Sequence, residues 1–105
     1  MTSLRWTAAA VEEAEEAAGY YGCVSANLGA KFANQLAQAL QSIRIDPHRF
    51  ARLETIQTSR KIHRTFVPKF PYLIIDEIRD NCVEVLAIAH TSRAPDYWLE
   101  RRADT

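Results

Sequence analysis

The spacing of apolar side chains divides this chain into a helical half and a strand half. From Ala8 to Tyr21 the residues are mostly Ala and Glu, both strong helix formers, and Val11, Ala14, Ala18 and Tyr21 recur at helical intervals. That phase predicts one apolar side and sends Glu12, Glu13, Glu15 and Glu16 to water, early in the helix where its dipole favours negative charge. Thr7 is placed to cap this helix, its hydroxyl accepting a free amide of the first turn. After a break at Gly22-Cys23-Val24-Ser25, with Ser25 or Asn27 as cap, a second helix is predicted to about Arg44. Its stripe is Leu28, Phe32, Leu36, Leu40 and Ile43, flanked by Ala30, Ala33 and Ala37, which would permit close approach to the first helix. Asp46-Pro47 stops it, because the residue before proline is pushed out of the helical region.

Beyond Pro47 the period shortens to two. Ser59 to Val67 alternates, with Arg60, Ile62, Arg64 and Phe66 on one face and Lys61, His63, Thr65 and Val67 on the other. The apolar run in Lys69–Ile78 suits a central strand, with Pro71 at its start where a ladder bond is dispensable. Asp80-Asn81 is a turn signal, and Cys82 to His90 is a further apolar, β-branched strand. Leu4 to Thr7 is long enough for one brief strand, which must pair somewhere because an unpaired edge is costly. Pro95 can start a short helix carrying Tyr97, Trp98 and Leu99. The expected order is β-α-α-β-β-β plus a short C-terminal helix. This is an α+β, two-layer domain in which an N-terminal helical hairpin packs on a four-stranded, mostly antiparallel sheet.

Composition sets outer bounds. The 105 residues suit a single domain spanning 1–105, with 48% apolar and 25% charged residues as in an ordinary globular protein. That excludes a disordered or collagen-like chain. No run approaches a membrane span, and the first residues lack the apolar core of a secretory signal, so a cytoplasmic location is expected. The two cysteines, Cys23 and Cys82, have no CxxC or paired histidine. They are expected to be reduced and partly buried, and neither a metal nor another cofactor is expected.

Charge changes the picture more. Thirteen Lys and Arg balance thirteen Asp and Glu, yet the balance is uneven along the chain. Residues 1–40 sum to −2, residues 41–72 to +5 and residues 73–105 to −3. A basic block in a neutral chain implies either a localised anionic partner or internal pairing with the acidic ends.

At this point the residues resemble a known family. Ala18-x-Tyr20-Tyr21 ends the first helix, and Leu28-Gly29-x-x-Phe32-x-x-x-Leu36-x-x-Ala39-Leu40-x-x-Ile43 forms the second. Pro47-His48-Arg49-Phe50 follows, Lys69-Phe70-Pro71-Tyr72-x-Ile74 opens the central strand, and Val85 to His90 leads to Arg93, Pro95, Tyr97 and Trp98. In joint order and spacing these segments resemble RelE/ParE-superfamily toxins of bacterial type II toxin–antitoxin systems, the ParE-like branch most closely. The resemblance implies the two-layer fold just derived. It also implies a cognate antitoxin that wraps around the toxin in a hetero-oligomer, and a target that differs by branch. ParE-like members typically poison DNA gyrase without chemistry of their own, whereas RelE-like members cut mRNA on the ribosome. A degenerate toxin that only binds its antitoxin is a third, blander possibility.

Candidate site residues follow. A metal-independent ribonuclease needs a base, an acid and cationic side chains around the phosphate. For that chemistry the candidates are Arg64, His90, Arg93 and Tyr97. For antitoxin or target binding they are Arg60, Lys61, Arg64, Lys69, Arg93 and Trp98, with Arg60, Lys61 and Arg64 contributing charge. His48 and His63 are expected at the surface, His90 as a hydrogen-bonded strand-end residue, and Tyr72 and Trp98 as core or lid aromatics. One departure favours binding over cleavage. In mRNA-cutting relatives a basic residue follows the tyrosine matching Tyr72, whereas here Leu73 stands there and the strand goes on to Asp76-Glu77.

Overall fold

The computed structural model describes residues 2–49, 51–52, 60–94 and 96–101, with only the backbone at 49, 51 and 52. Strand β1 (Ser3–Trp6) leads into α1 (Ala8–Val24) and α2 (Ala26–Ile45). A 3-10 turn (Pro47–Arg49) precedes β2 (Ala51–Arg52), β3 (Ile62–Phe66), β4 (Tyr72–Arg79) and β5 (Cys82–His90). The sheet order is β1-β5-β4-β3-β2. β3, β4 and β5 form the expected antiparallel meander, β1 pairs with β5 in parallel, and two-residue β2 adds a fifth strand beyond the four main ones. The predicted C-terminal helix is instead a run of turns, closed by Leu99 N–H to Asp96 O and Arg101 N–H to Trp98 O. Each is a bond back to the third residue before, too short a series to make a helix.

The helices form where the pattern placed them, with shifted ends. Thr7 caps α1, its Oγ1 accepting Ala10 N–H at 3.1 Å. α1 does not break at Gly22 but runs on to Val24. Ser25 alone joins the helices, and its Oγ accepts Leu28 N–H at 3.0 Å. So tight a joint presses α1 against α2, and a Cβ on Gly29 would lie 2.8 Å from the Gly22 Cα. Close approach thus rests on two glycines, while Ala30, Ala33 and Ala37 face solvent. In α1 the buried side is rotated by one position, so that Ala10 and Ala17 are buried and Val11 is 41% exposed.

Both faces of the sheet are covered. On the helix side, Phe32, Leu36, Ala39 and Ile43 of α2 pack over Val67, Ile74, Val83, Val85 and Ile88. An aromatic cluster of Tyr21, Phe32, Phe70 and Tyr72 joins them, with ring centroids 4.8–6.3 Å apart. On the other side Ile62, Ile75, Leu86, Ala87 and Ala89 form a second core. Trp98, 1% exposed, is pressed onto it by the C-terminal turns. The register of β4 against β5 slips between Ile75/Ala87 and Asp76/Val85, leaving Leu86 as the extra residue of a β-bulge. The bulge lets Val85 and Ile88 both face the helices while Leu86 and Ala87 both face the second core. The β4–β5 hairpin turns at Asp80 and Asn81, both with positive φ (47° and 62°), as a tight hairpin turn requires.

Candidate functional site

Four candidate residues from different elements meet at the end of the sheet. Arg64 stands on β3 and His90 ends β5, while Arg93 and Tyr97 belong to the segment that turns back under the sheet. Together they border a cleft of about 230 Å³ on the back face, floored by Leu73, Ile75, Ala89 and Trp98. Alternation explains Arg64, whose cross-strand neighbour is Ile75, a residue of the back-face core. Phe66, 59% exposed, shares that face with Leu73.

The groups in the cleft differ in freedom. The Tyr97 hydroxyl donates to Glu13 Oε2 at 2.7 Å. Burial raises its pKa well above the ordinary phenol value, and the hydrogen bond and charge of Glu13 raise it further. A phenol held as a donor to a carboxylate is a poor proton source for another group. The Arg93 guanidinium lies 3.9 Å from the Tyr97 ring centroid, with Nη1 3.9 Å from Glu13 Oε2. His90 Nδ1 accepts Ser92 N–H at 3.1 Å, which puts the neutral ring's proton on Nε2, while its ring packs edge-on to Tyr72. This is the hydrogen-bonded strand-end histidine the sequence implied.

Other candidates lie elsewhere. Arg60 forms a two-pronged ion pair with Glu77 (Nε–Oε2 3.0 Å, Nη2–Oε1 2.8 Å) and donates to Leu99 O at 2.6 Å. Its charge is spent inside the fold, which corrects its assignment to a binding surface. Trp98, 1% exposed, is the core aromatic that one of its two readings expected, so its place among the binding residues is corrected. Lys61 and Lys69 are exposed, Lys61 beside an open cleft of about 520 Å³ with His48 and Arg79, and Lys69 in a left-handed turn (φ 72°) before β4. His63 is also corrected: it is 6% exposed and faces the helix side, its ring 6.4 Å from that of His48. Cys23 is exposed where partial burial was expected, and both cysteines are free.

Two features went unread in the sequence. Glu13, assigned to water, is the hub of the C-terminal fold-back. Its carboxylate accepts Tyr97 Oη (2.7 Å), Arg101 Nη1 (2.7 Å) and the Ile88 amide (3.1 Å). The signal was present, since Glu13 lies on the helical stripe of Ala10 and Ala17, the residues α1 buries. Asp76 is the second. It is 1% exposed on the helix side, opposite His63, with no hydrogen-bond partner for either carboxylate oxygen among the described residues. Burial pushes its pKa up to about 7. Among the described residues no group of three or more His, Cys, Asp and Glu could hold a metal ion, and no helix is long and apolar enough to cross a membrane.

A family model described as the ParE toxin of the type II toxin–antitoxin system parDE matches residues 4–95. The fold is similar to a chain of the "Chromosomal ParDE TA system from P. aeruginosa" at a TM-score of 0.71 and 13% identity, covering 86% of this chain and 96% of that one. No curated protein matches the sequence.

Proposed function

The chain belongs to the ParE toxin family of type II toxin–antitoxin systems, and on that premise we propose that it is a toxin held inactive by direct binding of a cognate antitoxin in the cytoplasm. Released, it acts by binding and inhibiting DNA gyrase and carries out no chemistry of its own. The family match over residues 4–95 carries the toxin reading. What favours binding over cleavage is the state of one catalytic candidate, since the Tyr97 hydroxyl is committed to Glu13. That removes a candidate acid from beside the cations of the cleft. The test is gyrase-catalysed supercoiling with purified chain added. The expected result is loss of supercoiling or trapped cleaved DNA, relieved by the co-encoded antitoxin. Full supercoiling at toxin excess overturns the gyrase target.

One observation favours a second reading, a ribosome-dependent mRNA endonuclease. Arg64, His90, Arg93 and Tyr97 do border a single cleft beside the exposed Phe66 ring, and bases stack on such rings. Cleavage of mRNA in a translating extract, abolished by Arg93→Ala, would establish it.

A further inference from the structure

Where β1 stops, β5 keeps going. β1 pairs with Cys82–Val85 only, and the chain then turns into α1, so that among the described residues no strand pairs with the outer edge of β5 from Leu86 to His90. Two of its groups are closed by side chains. Leu86 O accepts Thr7 Oγ1 and Arg101 Nη1, both at 3.1 Å, and the Ile88 amide donates to Glu13. The next two groups are open. On β4, Tyr72 O accepts Val67 N–H and Pro71 O accepts Thr91 N–H, so the backbone at 71, 73 and 75 faces β5 while that at 72 and 74 faces β3. On β5, residues 87 and 89 therefore bond β4, and Ile88 and His90 point outward. Among the described residues no donor reaches Ile88 C=O and no acceptor reaches His90 N–H. Strand groups beside a packed core are normally paired.

These two groups open on a groove of about 250 Å³ between β5 and α1, bordered by Glu16, Ala17, Tyr20 and Tyr72. Tyr20 is 65% exposed, and Glu16 is exposed with no ion pair among the described residues. Arg93, half-exposed, reaches across toward Glu13 and is the side chain an occupant would move.

We propose that this edge is a docking site for one extended segment of the antitoxin, which pairs in parallel with β5 as an in-line continuation of β1. The vacant pair dictates the direction. A single guest residue that donates its N–H to Ile88 O and accepts from His90 N–H makes a parallel rung opposite Ala89 and leaves Glu13 on the Ile88 amide. An antiparallel guest would need that amide and would have to expel Glu13. The residues on either side of the rung point to the helix side, as Ile88 and His90 do. An apolar side chain there meets Ala17, Tyr20 and Tyr72, and a basic one meets Glu16. Main-chain bonds supply affinity and the flanking side chains supply specificity, as in other strand additions.

The inference rests on the proposed antitoxin reading and is tested in the complex with the purified co-encoded antitoxin. Site-resolved amide exchange is compared in the free chain and the complex. The His90 amide should slow by at least about tenfold, the equivalent of one added hydrogen bond, while the Ile88 amide, already held by Glu13, barely changes. His90→Pro removes the outward N–H together with the imidazole, whereas His90→Ala removes the imidazole alone, so the proline variant should bind the antitoxin about tenfold more weakly than the alanine variant. If the proline variant fails to fold, the exchange experiment decides alone. A complex that forms with His90 exchange unchanged overturns the docking site and leaves the antitoxin reading standing. Absence of any complex overturns both.

Discussion

The two faces of one sheet are held in opposite ways. The helix face is covered by a hairpin whose apolar stripe is continuous, with Phe32 and Ile43 at 0% exposure and an aromatic cluster around Tyr21. The back face is covered by turns with little structure of their own, anchored by Trp98 and tied down through Glu13, whose bonds to Tyr97 and Arg101 span 84 and 88 residues. Periodic burial secures the first face, and it is local in sequence along each helix. A few charge-assisted hydrogen bonds secure the second, and each depends on the rest of the fold being in place. A small domain can cover a sheet face without a second helical layer when one aromatic side chain and one carboxylate fix the covering segment.

The comparison breaks most decisively at Phe32. Phe32→Ala should cost about 3–5 kcal/mol, because the ring is fully enclosed and four rigid elements cannot collapse onto the space. Global unfolding midpoints in denaturant measure it, and a loss below about 1 kcal/mol would contradict the packing described. On the back face, Glu13→Gln should cost less, about 1–2 kcal/mol, since Arg101 keeps some access to water. It should act locally, raising Trp98 fluorescence quenching before global unfolding. If Trp98 is exposed only when the helices melt, the two faces are one cooperative unit.

Asp76 tests the helix face by pH. Its folded pKa of about 7 lies above the ordinary carboxylate value, so the protonated form favours the fold. Its contribution is fully present below about pH 4 and is lost as pH rises through about 7. Between pH 5 and pH 8 stability should fall by on the order of a kcal/mol or more, and Asp76→Asn should flatten that profile. His63, its neighbour across the register, is the other titratable group to follow, by its ring resonances. The smallest effect is expected at the hairpin tip, which belongs to neither face. Asn81→Gly relieves a positive φ of 62° and should add about 0.5 kcal/mol or less, without changing Trp98 exposure.

Much of this was legible beforehand. Thr7, Ser25, the stripe of α2, the alternation of β3 and the Asp80-Asn81 turn act as their residue types and spacing required, because caps, periods and turns are local properties. The candidate site was half legible. Alternation put Arg64 on one face, and position put His90 at a strand end, but Arg60 and Trp98 turned inward. Arg60 was read as a surface residue, and Trp98 as both a core aromatic and a binding residue, because their partners, Glu77 and the back-face core, lie far off along the chain. The +5 block was therefore a mixture, with Arg60 paired internally and Lys61, Arg64 and Lys69 left at the surface.

The sequence alone thus determined the two long helices, four of the five strands and the two-layer class, since each rests on spacing within a short window, while the family rested on the joint order of several such windows. Tertiary structure decided what no window contains: that β1 runs parallel to β5, that the C-terminal segment covers the second face, and that Glu13 is a half-buried hub rather than a solvated charge. Parallel pairing and long-range ion pairs form only once the chain has paid the entropy of closing the large loops between them. Their partners are chosen by the assembled core rather than by neighbours in sequence.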